Sequence, residues 1–255
     1  MTALRKIGNA MSTSPHPRHG YGRISRVLHW LTALAILMTA GLGLYMTGLP
    51  ATTEAEVTAV FQAFSIHKTL GTGILALVIL RLIWTLIHPG PGPLHPDRIW
   101  ETGLARLIHR LLWGAMLVLP VSGWFFHASA PGFAPVLWPF GQSLPFILPD
   151  ETRALVFRSI HGLAGWCLIA FVTLHFLGAV KHVLVDRDAT MARMTYGTGP
   201  AIAPAGPASL LTGLACLLWL AVIALGTLLA PEPEPDPFAA FPDPGEFGEP
   251  VMPQN

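Results

Sequence analysis

Charge is scarce in this sequence. Only 11% of its 255 residues are Asp, Glu, Lys or Arg, and 52% are hydrophobic; soluble domains carry about 25% charged residues. A chain this poor in charge cannot cover a water-exposed surface, which excludes a soluble globular enzyme. A formal net charge of +1 gives no pointer to nucleic acid, which is not expected as a partner. Cysteine is nearly missing: Cys167 and Cys216 both sit inside apolar runs, which excludes a disulfide scaffold and a cysteine-rich zinc site and reads as packing. No apolar core and small-residue cleavage site follow the basic N-terminal residues closely, so a cleaved signal peptide is not expected. Acids in mid-membrane and broken helices are lacking as well, which sets aside a histidine-based transporter.

What is present is five apolar runs, each near the ~20 residues that a spanning helix needs. They cover residues 27–46, 67–87, 109–126, 161–184 and 209–229. The expected fold class is an all-α integral membrane protein. A Pro-Gly loop, HPGPGPLHPDR, separates the second and third runs. A longer connection, residues 127–160, carries Trp138, Phe140 and Phe146 among prolines and is expected at the membrane interface. Residues 1–22 read as a disordered arm and 231–255 as a disordered tail rich in proline and acid. Residues 196–230 are expected to form a linker and the fifth span. Twelve of the fifteen Lys and Arg fall in the N-terminal arm, the second-to-third connection and the stretch after the fourth run. By the positive-inside rule the N-terminus is cytoplasmic and the acidic tail lies on the opposite side.

Eleven histidines is many for so apolar a chain. His161 and His175 are fourteen residues apart in the fourth run, so they leave one helix face within roughly 40° and are separated by roughly 21 Å along the axis. His67 opens the second run and matches His161 in depth; His29 lies near the start of the first and matches His175. Two imidazoles at each of two depths suit a planar macrocycle with axial nitrogens on both faces better than zinc, which wants four ligands. The CxxCH attachment signature is absent, so such haems would be non-covalent and b-type. His109 competes with His29 as the inner ligand, and His29 is preferred because its depth matches. His109 and His182 are alternatively read as shaping a quinone pocket or moving a proton; the default for both, and for His95 and His127, is no special role. Arg81, fourteen residues after His67, shares its face and needs a counter-charge. A haem propionate could supply one with Arg26 nearby, or Arg81 could reach the headgroups. Gly71, Gly73, Gly162 and Gly165 follow the outer histidines and permit close approach of a macrocycle or of a helix.

The ordered set RISRVLHW, HKTLG, LVLPVSGW, the paired histidines and KHVLVDRD resembles the bacterial cytochrome b561 family over roughly residues 21–194. The resemblance implies a four-helix bundle, residues 23–195, holding two haem b groups on His29, His67, His161 and His175. It also implies electron exchange with the quinone pool, ubiquinone being a substrate, and in some members oxidation of superoxide at the outer face. The related cytochrome subunit of nickel–iron hydrogenase implies the alternative of an anchor and relay for a partner redox protein. The expected setting is the bacterial inner membrane, with lipid and quinone as partners and a periplasmic redox protein or a second copy as further candidates. The fifth span and the acidic tail depart from the family pattern.

Overall fold

Two of the spanning helices begin where a side chain caps them, not where their apolar runs begin. A computed structural model describes residues 20–130, 134–200, 202 and 209–234. α1 is Arg23–Met46, α2 Glu54–Ile87, α3 Ile99–Ser129, α4 Glu151–Lys181, α5 Thr190–Thr195 and α6 Ser209–Leu228. All but α5 are long and apolar enough to cross a membrane, and no strand occurs among the described residues. The chain is an all-helical, multi-pass membrane protein. The arm and the tail expected to be disordered lie, but for residues 20–22 and 231–234, outside the described residues.

α2 starts thirteen residues before His67, and α4 ten before His161. At α2 the cause is a capping box. Thr53 Oγ1 accepts from the Glu56 backbone N–H at 3.3 Å, and Glu56 Oε2 accepts from the Thr53 N–H at 3.0 Å. At α4 the Asp150 carboxylate accepts from the Arg153 N–H at 2.6 Å. The histidines expected at the starts of the second and fourth spans therefore sit inside helices, because hydropathy marks only the part in lipid and the caps set the true ends. Hydroxyls within the spans are satisfied locally: Thr32 donates to the Leu28 carbonyl at 2.6 Å and Thr69 to Ser65 at 2.6 Å.

The helices alternate in direction. Trp84 Nε1 donates to Ser25 Oγ at 3.0 Å, so the end of α2 meets the start of α1; the starts of α3 and α6 and the end of α4 join them at this near end, and the opposite end is the far end. α6 lies against α3 and α4. Trp219 on α6 is buried, and its indole N–H donates to the Leu111 carbonyl of α3 at 3.1 Å. Gly114 leaves room for that indole, and Gly226 presses on the backbone of Ile160 in α4. Ile108, Leu111, Ala115, Ala164, Leu168 and Ala215 complete this core. Small residues let the helices close in, which matters because lipid tails give apolar helices no hydrophobic reason to associate.

At the near end α4 runs into a π-helical turn, His182–Asp186, which Arg187 ends in the left-handed conformation at φ 51°. Asp188 then accepts from His95 Nε2 at 2.9 Å, His182 Nδ1 at 2.8 Å and the Thr190 N–H at 2.8 Å. Asp186 takes Arg98 at 2.9 Å and Lys181 at 2.8 Å. This knot ties the Pro-Gly loop to the end of α4. It gives His95 and His182 a structural task that their positions near a loop did not reveal.

Candidate functional site

Four helices deliver imidazoles to two levels. At the far level the rings of His67 (α2) and His161 (α4) have centroids 6.1 Å apart. At the near level His29 (α1) and His175 (α4) are 6.3 Å apart. Metal–imidazole bonds of about 2 Å on opposite sides of one ion put the two ring centres roughly 6 Å apart. Both pairs fit a single metal between them. His109 of α3 is also at the near level, but its ring lies 4.9 Å from that of His175, too close to admit a metal between the two.

The far pair is held by matching devices. His67 Nδ1 donates to the Thr39 carbonyl of α1 at 3.1 Å, and His161 Nδ1 to the Leu119 carbonyl of α3 at 3.0 Å. Four residues beyond each carbonyl stands a glycine against the ring edge. A Cβ on Gly43 would come to 3.1 Å from His67 Cε1, and one on Gly123 to 3.0 Å from His161 Cε1. A carbonyl bonded to Nδ1–H fixes the tautomer that leaves Nε2 with its lone pair, the form a metal requires. Sequence reading missed these glycines because each lies on a helix other than its histidine's. Of the glycines it proposed, Gly71, Gly162 and Gly165 meet nothing within 4 Å, and Gly73 is covered by the Trp138 ring.

At the near level Arg81 sits with the imidazoles. Its Nη2 donates to His29 Nδ1 at 3.0 Å, and its guanidinium lies 5.1 Å from the centre of the Trp113 ring. None of the ion pairs among the described residues includes it. A part-buried guanidinium in a membrane helix without a carboxylate calls for an anion from elsewhere. Arg26 instead donates from Nη1 to the Thr195 carbonyl at 2.9 Å.

Lys68, next to His67, is not an open cation. Its Nζ donates to His127 Nδ1 at 3.2 Å and to the Ala134 carbonyl at 2.9 Å. His127, expected in a loop, is instead inside α3 and 5% exposed, with Nε2 against Gln142 Oε1 at 3.4 Å. These contacts fold the 134–150 segment onto the far end.

His182, Asp186 and Asp188 offer ligand atoms within 4.8 Å of one another, but Lys181 and Arg98 already pair with Asp186, and His95 Nε2 donates to Asp188. The cluster is an ion-pair knot. Desolvation pushes the Asp188 carboxyl up, but hydrogen bonds from Thr190, His182 and His95 outweigh it and hold it well below the usual carboxylate range. A carboxylate so depressed stabilises the fold above its unfolded value of about 3.9, and that contribution fades as the pH falls below it. Detergent-solubilised Asp188→Asn protein should therefore melt below the wild type at pH 7, with the gap narrowing once the pH drops under about 4.

A family model described as "Prokaryotic cytochrome b561" matches residues 20–197. Cytochrome b561 homolog 2 of Escherichia coli (strain K12) is 27% identical over 175 residues, 68% of this chain and 90% of that protein. Cytochrome b561 homolog 1 of the same organism is 25% identical over 171 residues, 66% of this chain and 92% of its own length. The family match stops before α6.

Proposed function

The chain belongs to the prokaryotic cytochrome b561 family and is a membrane b-type cytochrome of electron transfer; from this premise we propose that it carries electrons across the membrane between two haem levels. The proposed axial ligands are His67 with His161 at the far level and His29 with His175 at the near level. The observation that carries this reading is the pair of ring separations, 6.1 Å and 6.3 Å, each spanning one metal position.

Haem, when bound, supplies one-electron chemistry at the membrane's interior. The chain does the rest. The paired imidazoles would hold the iron from two helices at each level, an arrangement that would favour electron transfer over bond-making. Thr39 and Leu119 carbonyls orient the far imidazoles. Arg81 is the proposed partner of a porphyrin carboxylate at the near level, and Arg26, one turn before His29, adds positive charge there. His29 must present a lone pair to ligate, so Arg81 has to exchange its hydrogen bond to Nδ1 for that anion. The proposed substrates are a quinone and, at the far face, a small redox molecule, with superoxide a candidate. The proposed orientation puts the N-terminus in the cytoplasm, as the lysine and arginine bias supports.

A second reading, a relay for a partner redox protein, draws on what lies beyond the family match. α6 returns the chain to the far side, and residues 231–255 hold six acids with no Lys or Arg. Anaerobic mixing of purified oxidised protein with ubiquinol, or with a superoxide source, tests the first reading. Reduction of the haem bands by either, at a rate unchanged by deleting residues 231–255, supports it. If neither reduces the haems while a partner protein does so only with the tail present, the relay reading replaces it.

A further inference from the structure

We propose that a groove on the outward face of α1, which shares Arg26 with the near level, binds an anionic phospholipid of the leaflet at the near end. Arg23, Val27, Trp30 and Leu34 follow one another at helical steps of three and four, with Leu31 one turn beyond Val27, and so share a face. That face is opposite to the one carrying Leu28, Thr32 and Thr39, which are buried in the bundle. With Arg26 at its edge it lines a groove of about 530 Å³. The proposal rests on α1 being a membrane span and not on haem binding.

The groove is graded along its axis. Guanidiniums of Arg23 and Arg26 stand at the helix start, Val27 and the Trp30 indole come next, and Leu31 and Leu34 continue as an aliphatic wall. From Arg23 to Leu34 the rise is roughly 16 Å, about half of the ~30 Å hydrocarbon core. Phosphate, interfacial region and acyl chain of one lipid fall in that order. The head end is built, not loose. Arg26 donates to the Thr195 carbonyl, and Trp30 Nε1 to the Met194 carbonyl at 3.2 Å, so the α5 segment fixes both side chains.

Positive charge at this end exceeds what the protein neutralises. Arg193, in α5, is only 5% exposed. Its Nε and Nη2, and Nε of Arg26, are buried without a hydrogen-bond partner among the described residues. None of the ion pairs among those residues includes Arg23, Arg26 or Arg193. A phosphodiester matches this chemistry, since guanidinium binds phosphate through paired N–H donors. A net negative headgroup answers the charge where a zwitterionic one would bring a cation of its own.

Native mass spectrometry of the detergent-purified holoprotein tests the site, using phosphatidylglycerol and phosphatidylethanolamine with identical acyl chains. The expected result is retention of one phosphatidylglycerol in preference to phosphatidylethanolamine, with Arg23→Glu weakening it about tenfold. Leu31→Trp, which fills the wall without changing charge, should also weaken it. Both residues face away from the bundle, so the haem spectrum serves as an independent check of the fold. Equal retention of the two lipids, or phosphatidylglycerol binding unchanged in both variants, overturns the proposal. So does inorganic phosphate raising the melting temperature as much as phosphatidylglycerol does, because a free anion would then account for the site.

Discussion

If the proposed pairs each hold one haem, His161→Ala should leave the purified protein with one haem of two, and His175→Ala should remove the other. The two imidazoles sit on one helix but at different levels, each facing a ring from another helix at 6.1 Å or 6.3 Å. Losing one axial nitrogen from a non-covalent haem removes a bond that nothing else at that level replaces at the far end. His67→Ala should therefore reproduce the spectrum of His161→Ala, and His29→Ala that of His175→Ala. His109→Phe should keep both haems, because the 4.9 Å between His109 and His175 leaves no room for a metal. Gly123→Leu should lose the far haem without touching a ligand, since its Cβ alone would reach 3.0 Å from His161 Cε1 and a longer side chain must displace the ring. Pyridine haemochrome counts and low-temperature spectra of the reduced variants decide the matter. The pairing is wrong if His161→Ala and His175→Ala lose the same haem, or if His109→Phe loses one that His29→Ala retains.

Much of this arrangement is legible in the sequence because depth in a membrane is a one-dimensional quantity. Counting residues from the ends of apolar runs puts His67 beside His161 and His29 beside His175, and the rings do meet in those pairs. Helix starts are not legible from hydropathy, since Thr53 and Asp150 cap in polar sequence outside the lipid-like runs; the Thr53-x-x-Glu56 pattern is the signal that finds the first. Contacts between helices are less accessible still. Nothing near His67 in sequence points to Gly43, and nothing near His161 points to Gly123, because each contact depends on the rotation of another helix. The same holds for Lys68 with His127 and for Asp188 with His95, pairs that join residues 59 and 93 positions apart.

Trp219→Ala should lower the stability of the protein by about 2–3 kcal/mol while both haems remain bound. The indole fills the space left by Gly114, donates to the Leu111 carbonyl at 3.1 Å and meets the Phe171 ring edge-on at 6.1 Å. In a soluble core a buried Trp→Ala change costs about 3–5 kcal/mol. In a bilayer the apolar transfer part of that cost falls away, because lipid solvates the exposed surface, and packing and one hydrogen bond remain. Gly226→Leu should act by the opposite route and by a similar amount, about 1–3 kcal/mol, since its Cβ would lie 2.8 Å from the Ile160 Cα and backbone cannot yield as a side chain does. Thermal unfolding in detergent, followed at once by the helical circular dichroism signal and by the haem band, separates the two elements. Early loss of part of the helical signal with an unshifted haem transition means that α6 is a separately docked element on a four-helix core, in keeping with its place beyond the family match at residue 197. If instead the haem band shifts along with the helical signal, α6 braces α3 and α4, the latter carrying His161 and His175, and the fifth helix is part of the same cooperative unit.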